Sequence, residues 1–555
     1  MVAKLFPTQE FGAQNSEDHK EALMLKETDT TDNMNGVILE EDNEETEQES
    51  ARKCHGCRTF CHNLCMPCRT KYHPLPENPN CWDRFKFTFM CPPHGVIARY
   101  FQFLFLCGIT FGVLLALFKD YALPGGNFFS LYVLFFGSVL GGYLISFIKL
   151  PPLLGMLLVG ALLRNVPVID VVGNHLDPNW SGALRQIALT VILIRAGLGL
   201  DPVALRKLSF TVVRLACSPC LVECIAEAIA SHFLLGLPWE WAFMLGFVLS
   251  AVSPAVVVPS LLNLSDRGYG INKGIPTLVI AAASIDDVLA ITGFGVVLGM
   301  AFSTGDIAVS IIKGPAEALL GVAYGVIGGI VLWYIPAKGD NFIFYRGMTL
   351  LGAGLLATFG SAAIELSGAG PLGVLTIAFV AAFRWRKEKK DNDQDPIKDI
   401  VAILWMLFQP ILFGLIGAEV QISKIDGQTV GLGMATLSIG MVVRLVVSFL
   451  AVFKSGLNFK EMLFIPFAWF PKATVQAAIG GVALDAARRK GDATLEAYGE
   501  IILTMAVLSI IITAPIGAIA IAITGPRLLK RTVKDKEYDE EDVQNTDEQA
   551  EITKV

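Results

Sequence analysis

Long apolar segments recur along most of this chain and constrain its fold more than any other feature. About fourteen runs of roughly 17 to 25 mostly apolar residues follow one another, each long enough to cross a bilayer as a helix. Inside a bilayer the backbone finds no water to bond with, so such runs fold as helices. A chain that is 53% hydrophobic and only 17% charged is also too apolar for a soluble globular protein. The sequence therefore predicts an all-α polytopic membrane protein.

The predicted spans have soft ends, and the third and tenth of them are short. They cover approximately 96–118, 127–149, 151–168, 182–200, 208–236, 240–263, 274–302, 309–335, 344–364, 369–384, 397–420, 428–453, 459–484 and 498–524. With the N-terminus inside, about 21 Lys and Arg lie near the cytosolic ends of the spans and about six near the opposite ends. This bias favours an even number of spans with both termini in the cytosol.

Two acidic tails flank the spans and account for the formal net charge of −7. Neither tail shows apolar periodicity, so both are predicted to be cytosolic and largely disordered. No secretory signal precedes the first long apolar run, which begins near Val96. The predicted organisation is an acidic, Cys-rich tail (1–95), a transmembrane domain (96–525) and an acidic C-terminal tail (526–555).

Two of the predicted spans carry prolines near their middle. The sixth span contains Pro254 and Pro259, and the thirteenth contains Pro471. Proline removes a helical hydrogen bond and clashes with the preceding turn, so each span is predicted to unwind at mid-membrane. Unwound backbone at that depth occurs only where it is packed in protein or lines a wet cavity. Two ordinary proline-kinked helices are the alternative interpretation.

The two interrupted spans are seven apart, so they cross the bilayer in opposite directions. Each follows a span with a buried ionisable residue, Glu223 in the fifth and Arg444 in the twelfth. This is the arrangement of an inverted repeat, with spans three to seven matching spans ten to fourteen. Such repeats place an ion site where the interrupted helices cross, with half-helix ends directing partial charges at it.

Adjacent carboxylates, Asp286 and Asp287, lie near the centre of the seventh span, at the depth of both breaks. One Asp at the bilayer centre costs about 2.5–3.5 kcal/mol on insertion scales, so the pair indicates a function more than a packing role. Carboxylate, hydroxyl and free carbonyl oxygens are the ligands that Na⁺ and Li⁺ prefer. A buried acid also favours its protonated form, so a proton and a cation would compete for the same oxygens.

The motif SIDD, with the interrupted segments AVSPAVVVP before it and FPKATVQAAIG before the last span, resembles the cation/proton antiporter superfamily. The paired Asp resembles one branch of it, and the arrangement of spans resembles the animal sodium/proton antiporter (sodium/hydrogen exchanger) group. The resemblance covers about residues 96–525. It implies a bacterial sodium/proton antiporter-like fold, elevator-type exchange of Na⁺ or Li⁺ for H⁺, and a homodimer. It also implies that Asp287 is the main carrier and that Asp286 pairs with a basic group.

Two departures from the family pattern affect the predicted site. Ser253 stands where many bacterial relatives have an acid, and Arg444 stands where the family usually has a Lys. Arginine does not lose its proton in proteins, so Arg444 cannot release one. If Arg444 pairs with Glu223, then Lys472 is the predicted cation for Asp286. The predicted charge-compensating groups are Lys472, Arg444 and Glu223.

The predicted ion-binding residues are Asp287, Asp286, Ser253 and Thr474. They would hold Na⁺ or Li⁺ as transported ions, and no cofactor is expected. The expected partners are the ions, the lipid membrane and a second copy of the chain, without nucleic acid. The plasma membrane is the favoured location, with endosomal and mitochondrial membranes as alternatives.

A cysteine-rich segment, from Cys54 to Cys91, lies on the predicted cytosolic side, where a reducing environment argues against disulfides. Zinc binding, reversible acylation and no single defined role all stay open, since the spacing matches no standard zinc finger. The predicted first span, 96–118, is an addition to the usual family count and is predicted to serve the dimer interface.

Other functional classes have less support in the sequence. A cation channel would also place acids at mid-membrane, but no filter-like repeat is visible. A sodium-coupled symporter of an organic anion is the alternative function, with Lys472 as the anion contact. No phosphate-binding loop, zincin helix or nucleophile elbow indicates an enzyme.

Overall fold

The computed structural model describes residues 95–200, 210–303, 307–335, 342–366, 368–388, 396–421 and 427–531, together with Asn80, Trp82 and Ser423. Residues 1–79 and 532–555, which are most of the two predicted tails, lie outside this description. The cysteine-rich segment also lies outside it, apart from Asn80 and Trp82. Helices dominate the described residues, and an isolated β-bridge pairs Tyr269 with Arg531.

The principal helices follow the order of the predicted spans. They are α1 (Gly95–Phe118), α2 (Asn127–Phe147), α3 (Pro152–Asn165), α4 (Pro178–Gly199), α5 (Phe210–Leu235), α6 (Trp239–Ser250), α7 (Pro254–Asp266), α8 (Ile275–Ala301), α9 (Ile307–Tyr334), α10 (Phe342–Leu355), α11 (Ala369–Lys387), α12 (Pro396–Glu419), α13 (Gly427–Ala451), α14 (Phe459–Ala468), α15 (Thr474–Ile479), α16 (Val482–Lys490) and α17 (Ala493–Leu528).

Ten helical segments among the described residues are long and apolar enough to cross a membrane, and the shorter α3 is also apolar. The all-α polytopic fold class is therefore confirmed, while the number of crossings stays a prediction. Helix α1 belongs to the unit that ends at Lys119, and α2 to α17 belong to the unit that begins at Asp120. The dimer role of α1 remains a prediction.

From α2 onward the helices form two packed groups. In the first group, α5 packs against α13, α6 and α8, and α17 packs against α7 and α14. In the second group, α9 packs against α11, α3 packs against α2 and α12, and α4 packs against α11 and α12. The groups meet where α8 packs against α9 and α11, and where α15 packs against α4. Both interrupted spans and the Asp pair lie in the first group.

Backbone approaches backbone closely where α3 meets α12. A Cβ atom on Gly160 would lie 1.9 Å from the carbonyl oxygen of Gly414, and one on Gly417 would lie 2.1 Å from that of Leu157. Only glycine permits such an approach at these positions. Close packing through small residues is a common way for helices to associate in membranes.

Candidate functional site

The two interrupted spans cross each other at their breaks. Helix α6 ends at Ser250 and α7 begins at Pro254, while α14 ends at Ala468 and α15 begins at Thr474. The backbone N–H of Ser253 donates to the carbonyl of Pro471 at 2.8 Å, which joins one break directly to the other. The breaks predicted at the middle of the two spans are therefore present and in contact.

The prolines contribute unequally to these breaks. Pro254 occupies the first position of α7, where a missing N–H leaves no helical bond unmade. Pro471 lies in the non-helical stretch between α14 and α15. Pro259, by contrast, lies inside α7, so its prediction as a broken-helix residue is wrong. The helix already begins at Pro254, and it tolerates the one hydrogen bond that Pro259 removes.

Side chains from the second half of the chain satisfy four consecutive carbonyls at the C-terminal end of α6, those of residues 248–250 and of the residue 251 that caps it. Gln476 Nε2 donates to the carbonyls of residues 248 and 251, at 3.0 and 2.9 Å. Lys472 Nζ donates to the carbonyl of residue 249, and Arg444 Nη1 donates to that of residue 250 at 2.5 Å. A helix end leaves these carbonyls without partners, and cations there also complement the helix dipole. The break in α6 is therefore held by three buried side chains.

A fully buried charge cluster lies beside this helix end. The carboxylate of Glu223 accepts from Lys472 Nζ at 2.7 Å through one oxygen and from Arg444 Nη1 through the other. The predicted pair of Arg444 with Glu223 is thus present. The predicted pair of Lys472 with Asp286 is wrong, because Lys472 shares Glu223 with Arg444, and it is Arg444 whose Nη2 lies 3.7 Å from Asp286 Oδ2. The ammonium group of Lys472 also donates to one carbonyl at the end of α6, so it lies between that helix end and Glu223.

The two aspartates of α8 have different surroundings. Asp286 is fully buried, and its Oδ2 accepts from the backbone N–H of Val252 in the first break at 2.7 Å. Its Oδ1 has no hydrogen-bond partner among the described residues. Asp287 is partly exposed, yet its Oδ1 is likewise buried and unpartnered there. Two carboxylate oxygens beside the crossing are therefore free to accept a proton or a cation.

The predicted hydroxyl ligands lie next to each other at the crossing. Ser253 Oγ and Thr474 Oγ1 are 3.3 Å apart, and each belongs to a different break. The structure thus brings Ser253, Thr474 and Asp286 to one place, with Val252 joining Ser253 to the aspartate. Their roles as ion ligands remain predictions. Where the structure describes the chain, no three His, Cys, Asp or Glu side chains form a metal cluster.

The family assignment rests on sequence similarity over most of the chain. A family model described as "Sodium/hydrogen exchanger, transmembrane" matches residues 134–525. The chain belongs to this family. It is 49% identical over 489 residues to sodium/hydrogen exchanger 9B2 of Mus musculus, which covers 87% of this chain and 88% of that protein. It is 43% identical over 448 residues to sodium/hydrogen exchanger 9B1 of Homo sapiens, with 80% and 86% covered.

A solved structure supports the fold of this family member. The sodium proton antiporter MjNhaP1 from Methanocaldococcus jannaschii superposes with a TM-score of 0.56 at 18% identity, covering 77% of this chain and 99% of that protein. The likeness confirms the predicted antiporter fold. The family consists of transporters, which agrees with the prediction that this protein is not an enzyme.

This exchanger-family chain also has a buried ion cluster that the sequence did not predict. Arg185 of α4 contacts Glu419 of α12 at 2.6 Å and Asp485 of α16 at 2.5 Å, and Arg488 of α16 contacts Glu419 at 3.1 Å. The cluster ties the second interrupted span to the other helix group. The sequence does not indicate this cluster, because Glu419 and Asp485 lie 234 and 300 residues from Arg185 along the chain.

Gln476 is a second residue that sequence reasoning left without a role, and it provides a test of the break. We expect Gln476→Leu to lower stability by about 2–4 kcal/mol, because two buried carbonyls lose their donor. Melting of the purified protein measures this change. The control is Gln186→Leu in α4, whose side-chain amide makes no hydrogen bond within the described residues. Equal melting of both variants would contradict the proposed support.

Proposed function

We propose that the protein exchanges Na⁺ or Li⁺ for H⁺ across a membrane, with both ions competing for the Asp pair. One observation carries the proposal: Asp286 Oδ1 and Asp287 Oδ1 are buried without a hydrogen-bond partner in the described residues, beside two crossed half-helix breaks. An anionic oxygen in such a place requires a proton or a cation. Membership in the sodium/hydrogen exchanger family and relatives of that name support the same two ions.

Asp287 is the carrier in this proposal, and Asp286 has mainly a supporting role. The charge of Asp286 is already engaged by the Val252 N–H and by Arg444. Asp287 has no cationic partner within 4 Å among the described residues, so a transported ion or proton must balance it. Ser253 and Thr474 supply hydroxyl oxygens, which suit a monovalent hard cation as neutral ligands.

Alternating access by an elevator-type movement is the proposed mechanism. The helices from α2 onward divide into a group that contains both breaks and the Asp pair and a second packed group beside it. Movement of the first group against the second, which would form the homodimer contact, would expose the site to each side in turn. Transport remains coupled if the loaded, neutralised site moves and the charged empty site does not.

Electroneutral, one-for-one exchange follows from the charges at the site and can be tested. Lys472 donates to Glu223 and to a helix carbonyl, and Arg444 always keeps its proton. Only the Asp287 proton then changes place with one cation. We expect the transport rate to change by less than about twofold when the membrane voltage is clamped at different values with K⁺ and valinomycin. If each cycle moved one net charge across the membrane, the voltage would instead change the free energy of that step by up to about 2.3 kcal/mol per 100 mV.

Proton flux in proteoliposomes tests the function as a whole. Vesicles with purified protein and an internal pH-sensitive dye receive Na⁺, Li⁺, K⁺ or choline outside. We expect Na⁺ and Li⁺, but not choline, to drive internal alkalinisation. Vesicles without protein control for leakage. Absence of cation-dependent proton movement would contradict the proposal.

The symporter alternative loses its main residue in this structure. Lys472 is fully buried and bound to Glu223 and to the end of α6, so it offers no spare cation for an organic anion. The protein is an integral membrane protein. Cytosolic termini and residence in the plasma membrane are proposed from the distribution of Lys and Arg and from the family.

A further inference from the structure

Glu227 is a buried acid that the proposed mechanism does not use. It lies one turn beyond Glu223 on α5 and is fully buried. Neither of its carboxyl oxygens has a hydrogen-bond partner in the described part of the chain. A buried carboxylate without donors is strongly unfavourable, so the structure accommodates this side chain as a neutral acid.

The packing around Glu227 leaves space for its carboxyl group. Gly440 of α13 faces it, and a Cβ atom at position 440 would lie 2.2 Å from Glu227 Oε1. Residues one turn farther along the same faces are Ser231 and Thr436, both fully buried hydroxyls. Polar groups therefore continue along the α5–α13 interface from Glu223 toward the end of α5.

Charged groups from several elements act on Glu227. They are Glu223 on its own helix, Arg444 from α13 and Lys472 from the second break, and the Cys224 thiol is also close. Helix α6 contributes no buried charge, and Asp286 from α8 lies beside Arg444. Arg444 and Lys472 together balance Glu223 and Asp286. An ionised Glu227 would therefore add one uncompensated negative charge to the cluster.

We propose that Glu227 is a second proton-binding carboxyl, whose proton sets the pH range in which the exchanger binds cations tightly. When the Glu227 O–H bond breaks, the proton passes to water and the carboxylate charge stays in the cluster. The added negative charge attracts a cation to the Asp pair and thereby favours Na⁺ binding at alkaline pH. This inference rests on the proposed antiport function, but its first test does not need transport.

Infrared difference spectroscopy between acidic and alkaline pH tests the protonation directly. The purified Asp287→Asn variant lacks the proton of the carrier, so the remaining protonated-carboxyl signal has few sources. We expect this variant to lose a buried protonated-carboxyl band as the pH rises, and we expect the double variant with Glu227→Gln to lack that band. Identical spectra of the two variants would overturn the proposal, whether or not the protein is an antiporter.

Transport kinetics provide the second test. The measured quantity is the ratio of the apparent KM for Na⁺ at pH 8.5 to the apparent KM at pH 6.5. We expect this ratio to be at least about threefold higher in Glu227→Gln than in wild type, as the loss of a nearby unit charge predicts. An equal ratio in active wild type and active variant would overturn the proposal. Inactive wild type would instead refute the proposed function alone.

Glu227→Asp keeps the test decisive if the Gln variant fails to fold. This variant retains a carboxyl group in the same space. We expect it to preserve both the infrared band and the pH dependence of KM. Loss of both in a correctly folded Glu227→Asp variant would indicate a packing role and overturn the proposal.

Discussion

Asp287→Asn is expected to abolish cation-coupled proton flux. The amide cannot release a proton, so the coupling between the two ions disappears. Loss of a charged ligand worth about 2–3 kcal/mol also lowers cation affinity by roughly 30–150-fold. Initial rates of dye response in proteoliposomes, at several Na⁺ and Li⁺ concentrations, measure both effects. We expect no flux above that of vesicles without protein.

A matched control separates this result from a general effect of removing an acid. Asp266 lies exposed at the end of α7, away from the crossing, so Asp266→Asn should transport within about twofold of wild type. Size-exclusion profiles and melting establish that both variants fold. Coupled flux that persists in Asp287→Asn would contradict the proposed carrier.

Glu223→Gln is expected to have the largest effect on stability. It leaves Lys472 and Arg444 fully buried without the carboxylate that both of them contact. Removing one partner of a buried ion pair destabilises a protein by about 3–5 kcal/mol, because the remaining charge stays uncompensated. We expect a melting temperature several degrees below wild type and reduced yield of folded protein. Heating followed by size-exclusion chromatography measures this change in detergent.

A second substitution tests whether uncompensated charge is the cause. Combining Glu223→Gln with Lys472→Met removes the ammonium group as well, so the double variant should recover part of the lost stability. Glu240→Gln is the control, since Glu240 is exposed in the first turn of α6. A double variant no more stable than Glu223→Gln would show that the cluster is held by something other than charge balance.

Much of the fold was predictable because its signals are local. Apolar runs of bilayer length mark the helices, and the described helices follow every predicted span with ends shifted by a few residues. The breaks at Pro254 and Pro471 were also predictable, since proline acts on its own helix turn. Pro259 shows the limit of that rule, because a helix can tolerate the loss of a single hydrogen bond.

The pairing of buried charges was only partly predictable. The symmetry between spans correctly predicted that Arg444 pairs with Glu223, but the predicted pairing of Lys472 with Asp286 was wrong. Lys472 instead joins Glu223, since its ammonium also bonds the end of α6. Which acid a lysine reaches depends on angles and depths that no sequence spacing specifies.

The sequence by itself determined that the chain is a helical membrane protein, that its helices break at Pro254 and Pro471, and which acids and hydroxyls lie at the depth of those breaks. These properties follow from segment length, proline chemistry and the rarity of charge in a bilayer, which act within one helix. Only the tertiary structure decided that Gln476 supports the first break, that Arg185 joins Glu419 and Asp485, and that Glu227 has no hydrogen-bond partner among the described residues. These contacts join residues far apart in the chain, and only the packing of helices against one another fixes them.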